Sequence, residues 1–222
     1  MDTIIAFIST SVEARQFGVN QSTFWALGAG LMTFIQAYGS WMLARRIYAN
    51  RSAAGVSMLM LAYWHASTLG FAYYGWHSHS VTMVFNSLVL APVYGTALVG
   101  MIAFGGNRIR ALIVAFVLAL VLPSLLVTAT DKSQVLMFIL LGNMIFFLDQ
   151  PRKLYCEKKT GSFDPKFTVA LMVASTFWFF FAVTVIHDVT LMIINPLSFA
   201  ISLMTLYAYA RARKHEMRAL PA

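Results

Sequence analysis

ALIVAFVLALVLPSLLV, residues Ala111 to Val127, runs for 17 positions without a charged side chain and with Ser124 as its one hydroxyl. As a helix it rises about 25 Å, close to the ~30 Å hydrocarbon core of a bilayer. An open strand in that setting would leave its backbone groups without partners, so a helix is required. The flanks agree: Arg108 and Arg110 precede the run, and Asp131 and Lys132 follow it.

Outward from this run, further apolar stretches cover Thr23 to Ala44, Val56 to Gly75, Val81 to Phe104, Gln134 to Leu148, Phe167 to Ile186 and Thr190 to Ala210. With Ala111 to Val127 they make seven candidate spans, and the expected fold class is an all-α integral membrane protein. Composition requires the same. The 222 residues are 59% hydrophobic and only 11% charged, whereas soluble domains carry about 25% charge. Mean hydropathy is +0.72. Seven spans use about 140 positions, which leaves no room for a soluble catalytic domain.

The net charge of +8 is spread over the ends of apolar runs rather than gathered in one patch, which argues against nucleic acid as a partner. Lysine and arginine also set the orientation. With the loop after the first span placed in the cytoplasm, 14 of the 16 fall on that side, leaving Arg15 and Lys132 outside. The expectation is an outside N-terminus and a cytoplasmic C-terminus, in a cell membrane. The N-terminal stretch lacks a basic segment with a small-residue cleavage site and reads as retained. A lone cysteine, Cys156, excludes an internal disulfide framework.

The chain repeats itself weakly. Arg51 to Ser57 corresponds to Lys159 to Pro165 at a shift of 108, Phe71 to Gly75 corresponds to Trp178 to Ala182 at 107, and Asn86 corresponds to Asn195 at 109. Two copies of three spans, joined by the unduplicated Ala111 to Val127 helix, enter the membrane in the same direction. The domain division is then an extracellular segment 1–22, a first triple-helix bundle 23–104, a linker helix with its loops 105–133, a second bundle 134–210 and a basic tail 211–222.

The turn Arg51-Ser-Ala-Ala-Gly-Val-Ser57, the Lys159-Thr160 turn leading to Pro165, the aromatic pattern ending in Tyr74-Gly75, the spacing from Trp178 through Asp188 to Asn195, and Leu206-Tyr207-Ala208-Tyr209 together resemble the SWEET sugar transporters and the wider PQ-loop group. The likeness runs from about Thr23 to Arg211. Met42-Leu43 and the inverted Gln150-Pro151 stand where that group often has Pro-Gln, and Phe71 stands where it has a small polar residue. The resemblance implies a three-plus-one-plus-three architecture and facilitative transport of a mono- or disaccharide by alternating access.

Within that frame Asn86 and Asn195 sit at lipid depth, where an uncharged amide needs a partner or an aqueous cavity. Two donors and an acceptor suit a hydroxyl-bearing solute. Trp178, in mid-span and away from the interfacial belt, offers a ring face to a sugar, and Phe71 is its repeat mate. Tyr74 and Asp188, at the extracellular ends of their spans, can form a reversible phenol-to-carboxylate bond, and the resemblance implies an outer gate.

Two other functions are open to the same residues. A proton-linked amino-acid carrier of the PQ-loop type would use His65, the ionisable group in mid-span, or Asp149, which otherwise reads as an interfacial partner of Arg152 and Lys153. A receptor for a peptide signal would need a mid-span cation, and none is present. His77, His79 and His187 lack the spacing and companions of a metal site, so no metal or cofactor is expected. Enzyme signatures such as Gly-x-Ser-x-Gly, Gly-Lys-Ser/Thr and His-Glu-x-x-His are absent, and catalysis is not expected. Expected partners are the solute and membrane lipid, with a homo-oligomer compatible.

Overall fold

The computed structural model describes residues 2–106 and 108–219. Residues 1, 107 and 220–222, which belong to the N-terminal segment, the linker and the tail in the sequence-based division, lie outside the described residues. Among the described residues there is no strand. The described residues form, in order, α1 Asp2–Ser9, α2 Val12–Arg15, α3 Gln21–Asn50, α4 Met58–His77, α5 Val81–Phe104, α6 Arg108–Thr128, α7 Lys132–Glu157, α8 Pro165–Phe181 and α9 Val189–Ala219. A π-helical turn, Ala182–Ile186, prolongs α8.

The chain punctuates these helices with side-chain caps. Ser57 Oγ accepts from the Met60 amide, Ser80 Oγ from Met83, Asp131 from Gln134 and Asp164 from Lys166, each satisfying an otherwise orphaned N–H at about 1 kcal/mol. Pro165, which ends the Lys159-Thr160 turn, stands in the first turn of α8, where its missing N–H costs nothing.

Among the described residues, five helices are long and apolar enough to cross a membrane: residues 81–104, 108–128, 132–157, 165–186 and 189–218. The chain is therefore an all-helical membrane protein. Helices α3 and α4 are also long, but polar and aromatic side chains dilute their apolar character. Burial explains why α4 tolerates this, since 11 of its 20 residues are buried against other helices and never meet lipid. The most apolar helix, α6, with a mean hydropathy of 2.7, is the least covered, at 22% buried.

Several boundaries differ from the sequence expectation. Helix α3 continues past Ala44 to Asn50, α7 past Leu148 to Glu157, and α9 past Ala210 through most of the expected tail. The cause is that Ala, Arg, Lys and Glu favour helix as well as the apolar residues do, so leaving the apolar run does not end the helix. The segment 1–22, expected only as an extracellular stretch, contains α1 and α2.

The long helices close into a ring. Helix α5 packs against both α3 and α4, and α9 packs against both α7 and α8. The two groups meet twice, α3 on α8 and α4 on α7, while α6 lies outside the ring, mainly against α4. The loops before α4 and α8 cross at one end of the ring. Gly55 (φ +77°) lies against the carbonyl of Thr160, and Gly161 (φ +52°) against that of Ala54. A Cβ at either position would collide with backbone, which fixes glycine at both.

Candidate functional site

The ring encloses a cavity of about 130 Å³ to which all six of its helices contribute and α6 does not. That is close to the ~150 Å³ that holds one six-membered ring in a protein core. Asn86 on α5 and Asn195 on α9 both line it, as do Phe71 on α4 and Trp178 on α8. The four residues singled out as solute contacts from the sequence therefore meet at one place. Phe71 and Trp178 touch edge to face, with ring centroids 5.8 Å apart.

Each asparagine is held by part of its amide. Thr33 Oγ1 donates to Asn86 Oδ1 at 3.0 Å, and Asn195 Nδ2 donates to the Leu191 carbonyl at 2.7 Å. Asn86 thereby keeps its donor end for the cavity and Asn195 its acceptor end. Pro196, next in the chain, cannot donate to the carbonyl of Met192, which loosens α9 beside the cavity.

Sequence reasoning missed a second amide pair. Gln36 on α3 and Asn143 on α7 also line the cavity, and their Oε1 and Oδ1 are buried without a partner, as is Trp64 Nε1. The signal was available, because Gln36 and Asn143 are related by the same shift as Phe71 and Trp178. Ser175 and Ser198, their hydroxyls 3.2 Å apart, add to the polar lining together with Ser67 and Thr68. No Asp, Glu, Lys, Arg or His lies among the described lining residues.

Tyr74 stands one turn beyond Phe71, and Asp188 one turn before Leu191, so the pair lies above one end of the cavity. The Tyr74 hydroxyl donates to Asp188 Oδ2 at 2.8 Å, while Oδ1 accepts from the Leu191 amide at 2.9 Å. The carboxylate thus caps α9 and ties α4 to it with opposite oxygens.

At the other end, Trp64 packs among Tyr94, Phe147 and Phe167. Beyond this aromatic layer the α3–α4 side and the α7–α8 side of the ring hold each other reciprocally. Arg46 Nη1 donates to the Phe163 carbonyl at 2.6 Å, and Lys153 Nζ to the Val56 carbonyl at 2.8 Å. At the shift of 107 that relates Phe71 to Trp178, one residue short of the 108 that aligns Arg51 to Ser57 with Lys159 to Pro165, Arg46 falls on Lys153 and Val56 on Phe163, so each bond falls on the other. Gln150, read from the sequence as half of an inverted motif, accepts from the Ser57 amide at 2.8 Å and donates to the Gly55 carbonyl at 2.7 Å. Asp149 pairs with Arg152 as expected, at 3.9 Å through Oδ1, and with its other oxygen also accepts from Ser57 Oγ across the loop at 2.6 Å.

His65 is not brought to the cavity. Its Nδ1 lies 3.1 Å from the Ala91 carbonyl and its ring against Gly95, so it joins α4 to α5 within one group of helices. His79 and His187 take up left-handed turns at φ 55° and 53°, in corresponding positions of the two copies. No three metal-ligating side chains converge among the described residues.

No protein-family model matches the sequence, and comparison with curated proteins gives no match.

Proposed function

We propose that the chain is a seven-span carrier that moves a small neutral polar solute, in the first place a monosaccharide, down its gradient by alternating access. The observation that carries this reading is the cavity: one ring-sized space, lined by amides paired through the repeat on corresponding helices, by apposed aromatic rings, and by no ionised side chain among the described residues. Unpartnered amide oxygens call for hydroxyl donors, and indole and phenyl faces suit the apolar face of a sugar ring.

The packing order supports two parallel copies of three spans, α3 to α5 and α7 to α9, with α6 as the linker between them. In both copies the third helix lies between the first two, and each first helix meets the other copy's second. Helices α3 and α4 belong to the spans in this reading because the ring around them, not lipid, covers their polar residues. The Tyr74 end faces outside a cell membrane, and the Arg46 and Lys153 end faces the cytoplasm. Asn86, Asn195, Gln36 and Asn143 bond the solute, and Trp178 and Phe71 pack on it. Tyr74 with Asp188 closes the outside, and the crossed loops close the inside.

Uniport fits better than proton coupling because His65 and Asp149, the groups that could carry a proton, both lie away from the cavity. The absence of a lining cation weighs equally against a receptor for a peptide carboxylate. The test is counterflow of labelled glucose and sucrose in proteoliposomes, with and without a pH gradient, for the parent chain and Asn195→Ala. Glucose exchange that ignores the gradient and falls at least tenfold in the variant is expected. Exchange that follows the gradient, or that survives Asn195→Ala, refutes the reading.

A further inference from the structure

Residues 2–20 bind both copies at the Tyr74 end, and by unequal means. To the first copy the attachment is extensive. Phe7 stacks on Trp76 at 4.2 Å and 9° between planes, and the Val12 amide donates to the His79 carbonyl at 2.9 Å. Glu13 accepts from Ser80 Oγ at 2.6 Å and from the amides of Val81 and Thr82 at 3.1 Å each. A carboxylate at that spot meets the orphaned N–H groups and the positive end of α5.

The repeat explains why α5 needs it. In the second copy Asp188 occupies the turn before α9 and caps that helix itself. The corresponding position of the first copy is Ser80, which has no charge to offer. Glu13 thus supplies from outside the repeat the carboxylate that the second copy carries within it.

To the second copy the attachment is, among the described residues, one hydrogen bond beside van der Waals packing. Gln16 Nε2 donates to the Val185 carbonyl at 3.1 Å, in the π-helical turn that leads into Asp188. The other end of that amide, Oε1, is buried without a partner. Three charge-assisted bonds hold one end and one neutral bond the other, so the neutral bond is the one that yields.

We propose that residues 2–20 form a strap that rides on the first copy and latches the second, so that the Tyr74 end opens only as Gln16 leaves Val185. The proposal rests on the carrier reading, in which the two copies move apart at this end. It adds a contact outside the repeat to the one between Tyr74 and Asp188.

The test is a distance measurement that needs no solute. With Cys156→Ser as background, spin labels at the exposed positions His77 and Val189 report the separation of α4 and α9 in nanodiscs. Gln16→Ala, which leaves every contact of Glu13 in place, is expected to raise the long-distance population roughly three- to tenfold, the worth of one amide hydrogen bond. Glu13→Gln is expected to raise it as well, and Tyr74→Phe to do so through its own contact. If Tyr74→Phe widens the distribution and the two strap variants do not, the strap is refuted while the moving-copy reading stands. If none of the three changes it, both fall together.

Discussion

Replacing the two unpartnered amides, Gln36→Met with Asn143→Leu, should make the protein more stable and less active at once. Each substitution keeps roughly the volume of the side chain and removes a buried carbonyl oxygen that has no hydrogen-bond partner. An unpaired buried acceptor costs about 1–3 kcal/mol. Taking the low end for both, and allowing about 1 kcal/mol for imperfect repacking, the double variant gains about 1 kcal/mol. For a chain of this size that raises the melting temperature by roughly 2–4 °C. Transport should fall at least tenfold, because the acceptors that make the apo protein less stable are the ones a solute hydroxyl would satisfy. Thermal unfolding followed by tryptophan fluorescence in nanodiscs, paired with glucose counterflow, reads both quantities. A melting temperature that drops, with counterflow intact, would show that these amides hold the helices together and would remove them from the site.

Three other outcomes follow from the geometry. Tyr74→Phe deletes a bond to a half-buried carboxylate worth about 1.5 kcal/mol, so a thiol reagent added at that end should label an Asn195→Cys probe in a Cys156→Ser background about tenfold faster. Gly161→Ala places a Cβ in a left-handed turn against the Ala54 carbonyl, costing about 2 kcal/mol or more, and thermal unfolding should shift down by at least about 4 °C. Trp178→Ala removes the ring that packs edge to face on Phe71 in the cavity wall, and half-saturating glucose in counterflow should rise at least tenfold while the protein remains folded.

The apolar runs were legible because lipid leaves the backbone no alternative to helix, whatever the neighbours do. The helix ends were not, since Arg45 to Asn50 and Arg211 to Arg218 are helix-compatible and only the lipid boundary, not the helix, stops there. Asn86, Asn195, Phe71 and Trp178 could be assembled in advance because near-equal offsets, 109 and 107, mark positions of corresponding helices, and such positions face the same way. Gln36 and Asn143 obey the same rule and were passed over as single polar residues in apolar helices. The direction of His65 was beyond reach, as α4 is apolar on nearly every face and no stripe says which one meets α5. Contacts between distant loops, such as Ser57 with Asp149, leave no local pattern at all.

The hydrogen bonds that join the α3–α4 side of the ring to the α7–α8 side are unevenly distributed between its two ends, and in the proposed carrier this bears on which end opens first. At the crossed loops seven hydrogen bonds join residues 46–57 to residues 149–163: those of Arg46, Asn50 and Lys153, two by Gln150, one by Asp149, and Ser162 N–H to the Ala54 carbonyl. At the Tyr74 end there are three: Tyr74 with Asp188, Ser22 with the Thr184 carbonyl, and Gln16 of the strap. At about 1 kcal/mol for each net bond, the loop end is held more firmly by a few kcal/mol. A carrier needs both openings to be reachable, and a gap of that size leaves the less favoured one scarcely populated. The strap narrows the gap by adding its bond to the weaker end. Its loss should therefore favour opening toward Tyr74 and slow the half of the cycle in which the crossed loops part, so that Gln16→Ala lowers the rate of glucose counterflow.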